Sequence, residues 1–379
     1  MRKKRVFLDN AATTPIAPEI IKMMSQMMRT NFANPSSVHS YGRESKIIVE
    51  SARKKISKLL NTSPGSIFFT SGGTEADNMA IKCAIHDHKI THAITSRISH
   101  HAVLFPLEDL QKEGLIKLSY VDIDKNGVIS ITHLKELLES YPRTFVSIMH
   151  ANNEIGTIQD IKKIGDLCKE NNAIFHSDTV QTMAHFPFDM QKLNIDFMAA
   201  SAHKFHGPKG VGFIYISEDI QINPLLRGGG QERNMRAGTE NIYGIAGLAM
   251  AMEMAYKNLE EETNYIKDLK TYMIEKLQNE LEDVQFYGKC TDMDNSLYTV
   301  LSCHFPETDI AEMLLFNLDI LGVACSGGSA CASGGSKGSH VLTEIVPESK
   351  RPGIRFSFSK YNTKEDIDFT IDKLKELFS

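Results

Sequence analysis

Three short segments of this chain bring together residue types that can do chemistry. The first, Thr70-Ser71-Gly72-Gly73-Thr74-Glu75, follows a short apolar run and opens a helical pattern. Its two glycines permit a tight turn, and Ser71 and Thr74 set hydroxyls beside the unpaired amides of a helix start, which suits a phosphate. Read alone, it fits a plain Thr/Glu helix cap behind a glycine turn better, and it lacks the Gly-Lys-Ser/Thr of a Walker loop. The second, His176-Ser177-Asp178-Thr179-Val180-Gln181, closes a strand pattern, the position at which α/β proteins bind ligands. Asp178 there suits a metal, a proton transfer, a protonated ring nitrogen or a simple helix N-cap. The third, Ser201-Ala202-His203-Lys204-Phe205-His206, also follows a strand pattern. Desolvation lowers the pKa of such a lysine and makes its amine a nucleophile, the plain alternative for Lys204 being an exposed surface residue. Lys209 lies in Gly-Pro-Lys-Gly, which reads as a turn. No third ligand of suitable spacing follows His203 and His206, so no metal site is expected.

Together the three change the reading. A phosphate anchor, a carboxylate for a pyridine nitrogen and an amine for a Schiff base are the parts that a pyridoxal phosphate site requires.

The elements that must position them alternate. Apolar, β-branched or aromatic runs at Ile67–Thr70, His92–Ser96, Lys117–Ile123, Phe145–His150, Ala173–Asp178, Ile195–Ala200 and Val211–Ile216 read as strands. Helical patterns lie between several of them, at Thr74–His88, Val103–Glu113, Thr132–Ser140 and Gln159–Asn171, the last with Ile161, Ile164, Leu167 and Cys168 on one face. This order predicts an α/β fold with a mostly parallel sheet covered on both sides. After about residue 260 the texture changes to a long amphipathic helix, strands near Val284–Tyr287, Leu297–Phe305 and Gly353–Phe358, and a closing helix. The expected organisation is a large domain over 15–260 and a smaller α+β domain formed by 1–14 and 261–379.

Composition excludes several classes. With 379 residues, 42% hydrophobic and 23% charged, the chain can bury a sizeable core, and a net charge of −5 argues against a nucleic-acid or anionic-membrane platform. Six cysteines without a CxxC are too few and scattered for a disulfide framework or a common zinc site. The apolar stretch Ile242–Tyr256 is broken by Glu253 and reads as a buried helix, not a membrane span. The basic start lacks the apolar core of a signal peptide, so a cytoplasmic protein is expected.

The chain resembles the pyridoxal-phosphate-dependent cysteine desulfurases of the NifS/IscS type, in the class V aminotransferase group. The resemblance runs nearly end to end, through Leu8-Asp9-Asn10-Ala11-Ala12-Thr13-Thr14-Pro15, Asn34-Pro35-Ser36-Ser37, Thr70–Asn78, His150-Ala151-Asn152-Asn153-Glu154-Ile155-Gly156 and Ser201–Lys204. It continues through Gly229-Gly230-Gln231-Glu232, Met235–Thr239, Ser326–Cys331 and Arg355-Phe356-Ser357. It implies the fold type I architecture of pyridoxal-phosphate enzymes, with a seven-stranded sheet in the large domain. It also implies roles: Lys204 as Schiff-base lysine and Cα base, Asp178 on the pyridine nitrogen, Gln181 with Asn152 on the phenolic oxygen, and His100 flat over the ring. Gly73, Thr74, Ser201 and His203 would hold the phosphate, with Thr239 supplied by the other subunit of a homodimer. Arg355 would take the substrate carboxylate, beside Asn34 and Asn152. His101 reads as a surface residue at a helix start.

Cys331 lies in Ser-Gly-Gly-Ser-Ala-Cys-Ala-Ser-Gly-Gly-Ser, whose small residues predict a mobile loop carrying an accessible thiol. The resemblance makes it the residue that takes sulfur from L-cysteine as a persulfide, leaving alanine. Delivery would be to an acceptor protein serving iron–sulfur clusters or thio-cofactors, with no nucleic acid or membrane partner. Selenocysteine lyase or another class V lyase or aminotransferase is the alternative. Gly73 stands where the family often has alanine, and Asp-Thr-Val-Gln replaces Asp-Ala-Thr-Gln. Cys325 reads as a small buried residue at a strand end.

Overall fold

The computed structural model describes residues 4–327, 339–347, 349 and 351–378; Cys331 lies outside them. The strands are β1 (Val6–Phe7), β2 (Ile67–Thr70), β3 (His92–Thr95), β4 (Lys117–Tyr120), β5 (Thr144–Ser147), β6 (Ile174–Asp178), β7 (Phe197–Ser201), β8 (Gly212–Ile216), β9 (Gln285–Phe286), β10 (Val300–His304), β11 (Val323–Ala324) and β12 (Gly353–Ser357). The helices are α1 (Pro18–Thr30), α2 (Ser40–Leu59), α3 (Gly73–Asp87), α4 (His101–Lys112), α5 (Ile131–Ser140), α6 (Ile161–Glu170), α7 (Ile242–Lys257), α8 (Leu259–Glu280), α9 (Leu314–Ile320), α10 (His340–Ile345) and α11 (Lys364–Phe378).

Seven strands form the main sheet in the order β2-β8-β7-β6-β5-β3-β4. β8 runs antiparallel to both its neighbours and the remaining pairs are parallel. Alternation of side chains decides the layers. Phe69, Val146, Phe175, Met198 and Phe213 point to one face, where α1, α2, α6 and α7 cover them. Phe68, Phe145, Ile174, Phe197 and Ile214 point to the other, against α3 and α4. A sheet buried on both faces needs the near-continuous apolar strands that the sequence shows. Ile161, Ile164, Leu167 and Cys168 are all buried, as their spacing predicts.

A second core joins the two ends of the chain. Val6 and Leu8 pack with Ile266, Leu269, Met273, Leu301, Phe356, Ile367 and Ile371. Here β1 pairs with β11, while β12, β10 and β9 form a small antiparallel sheet. No helix among the described residues is long and apolar enough to cross a membrane.

That core contains a buried amine. Lys270, on α8, is 0% exposed and donates to Ser296 Oγ and Leu297 O, each at 3.2 Å. Burial lowers its pKa from 10.5 to about 8. Between those two values the unfolded chain binds more protons than the folded one, so this group adds stability as pH rises through the window and costs most below pH 8. We therefore expect Lys270→Met to be most favourable relative to wild type near pH 7. Thermal melts should show the difference in Tm, variant minus wild type, falling by about 2–4 °C between pH 7 and pH 10.

Candidate active site

The carboxyl ends of the parallel strands and the starts of two helices converge on a cavity of about 380 Å³. β6 ends on Asp178 and β7 ends on Ser201, followed by the single 3-10 turn Ala202–Lys204. β2 leads through Ser71 and Gly72 into α3, whose first residues Gly73 and Thr74 line the cavity. α4 starts beside them, capped by His100, whose Nδ1 accepts the Ala102 amide at 3.1 Å. The small sheet closes the opposite side with Arg355, from the middle of β12.

Several polar groups in this wall are held in place. Lys204 Nζ donates to Ala11 O at 2.6 Å and to Ala12 O at 2.9 Å. The Lys204 carbonyl pairs with His185 Nε2 at 3.1 Å; since a carbonyl only accepts, that nitrogen carries the proton and Nδ1 accepts from Tyr298 Oη at 2.9 Å. Gln181 Nε2 also donates to Ala11 O, at 3.0 Å. Asp178 Oδ1 accepts the Val180 amide at 2.9 Å. Behind it lies Asp77, fully buried, whose carboxyl is raised well above the usual range by burial and by the charge of Asp178. His203 Nδ1 contacts Thr13 Oγ1 at 3.1 Å, and burial with the nearby Lys204 and Lys209 charges lowers its pKa to about 4.

Arg355 is 2% exposed. One terminal nitrogen donates to Asp9 Oδ1 at 2.8 Å and the other to Asn153 O at 3.0 Å. Its Nε is buried with no hydrogen-bond partner among the described residues. A buried guanidinium N–H is costly to leave unpaired. Asp9 Oδ1 also accepts from Ser326 Oγ at 2.7 Å.

Gly73, Thr74, His100, Asp178, Gln181, Ser201, His203, Lys204 and Arg355 all line this cavity. Asn152 does not. Its Nδ2 donates to Ile98 O and its Oδ1 accepts the Glu154 and Ile155 amides, so its amide is consumed in holding a turn, and Asn153 and Glu154 line the cavity instead. Asn34 is exposed, with Oδ1 accepting the Ser36 amide, and Thr239 is exposed outside this cavity. His101, the first residue of α4, is half-buried rather than fully exposed. It stacks on Phe105 at 4.6 Å, lies 4.5 Å from the His340 ring, and lines the cavity with it. His340 is 239 positions later in the chain (340 − 101), which no local pattern reveals.

A family model described as Aminotransferase class-V matches residues 6–369. The chain belongs to the class V aminotransferases. Within that family it falls among the cysteine desulfurases: it is 42% identical over 379 residues to a cysteine desulfurase IscS of Dictyoglomus turgidum, covering 99% of this chain and 95% of that one. A solved NifS-like protein superposes with a TM-score of 0.90 at 36% identity, covering 99% of both chains. A structure of SspA in complex with cysteine gives 0.82 at 30% identity, covering 94% of this chain and all of that one.

Gly73 has a local cause in this family member. A Cβ there would lie 2.4 Å from Val180 Cγ2, and a β-branched side chain has little rotamer freedom to yield. Gly73→Ala should cost about 1–3 kcal/mol, and Val180→Ala should relieve it. Chemical denaturation of the two single variants and the double should show strong non-additivity; additive costs would contradict the contact.

Proposed function

We propose that this cavity holds pyridoxal 5'-phosphate and that the chain converts L-cysteine to L-alanine, taking the sulfur onto Cys331 as a persulfide. The carrying observation is the convergence in one cavity of Lys204, Asp178, the α3 start and Arg355. The donor set fits the cofactor: backbone amides and hydroxyls at Gly73, Thr74 and Ser201 for a phosphate, a carboxylate for the ring nitrogen, and an amine for the aldehyde. When bound, the cofactor supplies a carbonyl that captures the substrate amine and a ring that accepts the electron pair released at Cα.

The protein's own groups do the rest. Arg355 binds the substrate carboxylate, in a planar geometry that lysine cannot reproduce. Asp178 would hold the ring nitrogen and favour its protonated form. Burial holds His100 below the usual histidine pKa, with Asp178 opposing and Lys204 assisting, so it would present a neutral ring to the bound cofactor. Lys204, freed from the Ala11 and Ala12 carbonyls, takes the proton at Cα. The Cys331 thiolate then attacks the substrate sulfur: an S–S bond forms, the C–S bond breaks, and a proton returned to carbon leaves alanine. The balance is L-cysteine plus a thiol giving L-alanine plus a persulfide.

The other cysteines support this choice. Burial raises the thiol pKa of Cys83 and Cys325 to about 12 and raises those of Cys168, Cys290 and Cys303 as well, and a thiol held protonated is a poor nucleophile. We further propose a cytoplasmic homodimer in which Thr239 completes the partner's phosphate site. The domains would divide at 15–260 against 1–14 with 261–379, and an acceptor protein such as an iron–sulfur scaffold would receive the sulfur. L-cysteine as substrate is also supported by the cysteine complex of the SspA neighbour.

The test is alanine formation from L-cysteine. Wild type should be yellow and release alanine, whereas Cys331→Ala should keep its colour and lose sulfur transfer to an acceptor thiol. Undiminished turnover in that variant would rule out the mechanism. Arg355→Lys should keep the cofactor band and raise KM for L-cysteine by about tenfold or more. An unchanged KM would remove Arg355 from substrate binding.

A further inference from the structure

β2 is an edge strand of the main sheet, so one side of its backbone has no neighbouring strand. Side chains take that place. Ile67 O accepts from Arg53 at 2.6 Å and from Arg233 at 2.7 Å, and the Phe69 amide donates to Glu232 Oε2 at 2.8 Å. Glu232 in turn receives both terminal nitrogens of Arg53, at 2.8 and 2.9 Å. The ion pair is buried, with Arg53 1% and Glu232 4% exposed. Burial opposes the Arg53 charge, yet the Glu232 bond and charge outweigh it and raise its pKa. The guanidinium groups of Arg53 and Arg233 lie over the Phe69 and Phe68 rings at 4.8 and 4.4 Å.

The segment that delivers Glu232 is strained. Glu232, Arg233 and Asn234 take φ values of 45°, 58° and 68°, a left-handed run that side chains with a Cβ adopt only when surrounding contacts impose it. Four residues beyond Glu232, Arg236 pairs with Glu75 through two bonds of 2.8 and 3.2 Å. Glu75 belongs to the first turn of α3 and also accepts the Ser71 amide at 2.8 Å. Burial opposes its charge as well, but Arg236 and Ser71 lower its pKa. One short segment therefore grips the chain at Phe69 and again at Glu75, the two sides of the turn Thr70–Thr74.

We propose that Glu232 and Arg236, through Arg53 and Glu75, act as positioning residues that bracket this turn and pre-form it for the cofactor's phosphate. The inference rests on reading that turn as the phosphate cradle. Pre-forming a cradle removes an ordering cost from binding, and only ligands that carry the phosphate gain from it. A purely structural clamp would affect ligands with and without phosphate alike.

The experiment strips the purified enzyme of cofactor and titrates it with pyridoxal 5'-phosphate and, separately, with pyridoxal, following absorbance. Arg236→Gln, at a partly exposed pair, should raise the dissociation constant for pyridoxal phosphate by about three- to tenfold and leave that for pyridoxal within about twofold. Arg236→Lys should fall between the two proteins. Glu232→Gln leaves Arg53 buried without its partner and puts folding at risk, so Arg236→Gln decides. Equal weakening of both ligands, or no weakening, overturns the bracket. Wild type binding pyridoxal as tightly as pyridoxal phosphate overturns the cradle itself, and the bracket's role with it.

Discussion

The site exists because the segment Leu8–Thr14 is bonded to both cores at once. On one side Ala11 O and Ala12 O hold Lys204, Ala11 O also holds Gln181, and Thr14 exchanges bonds with His203 O and the His206 amide. On the other, Asn10 donates to Ser357 O, the Ala11 amide donates to Ser357 Oγ, and Asp9 pairs with Arg355. The lysine after β7 and the arginine on β12 come from separate hydrophobic cores. Their placement across one cavity depends on this short segment, which turns at Asn10–Ala12. Its small residues follow from the same constraint: Ala11 and Ala12 offer carbonyls at close range and no side chain that would fill the space.

The electrostatics of the cavity come from burial as much as from charge. His100, His101, His203 and His340 all have pKa values lowered chiefly by burial. At neutral pH they present uncharged rings. Among the described residues the cations facing the cavity are then Lys204 and Arg355, beside the carboxyl groups of Asp77, Glu154 and Asp178. Desolvation strengthens each of these interactions.

The strands of the main sheet were legible because a sheet covered on both faces requires continuous apolar runs, which Ile67–Thr70, Ala173–Asp178 and Val211–Ile216 display, whereas their order across the sheet was not. The turn residues Gly73, Thr74, Asp178 and Lys204 were legible because strand ends and helix starts are marked by local chemistry. What escaped was non-local. Asn152 has the side chain expected of a ligand, but the turn around it needs that amide more. His101 looks like a helix-start surface residue until His340 is folded against it. The Arg53–Glu232 pair joins residues 179 apart in sequence, and only the strained backbone at Glu232 brings the carboxylate to the free edge of β2.

The central claim is that sulfur leaves L-cysteine for Cys331, and peptide mass spectrometry after a single turnover tests it most directly. The enzyme would be mixed with less than one equivalent of L-cysteine, alkylated and digested. The account predicts a gain of one sulfur atom on the Cys331 peptide, matched by the alanine released, with the peptides of Cys83, Cys168, Cys290, Cys303 and Cys325 unchanged. Alanine released without that gain, or sulfur found on Cys325 instead, would contradict it.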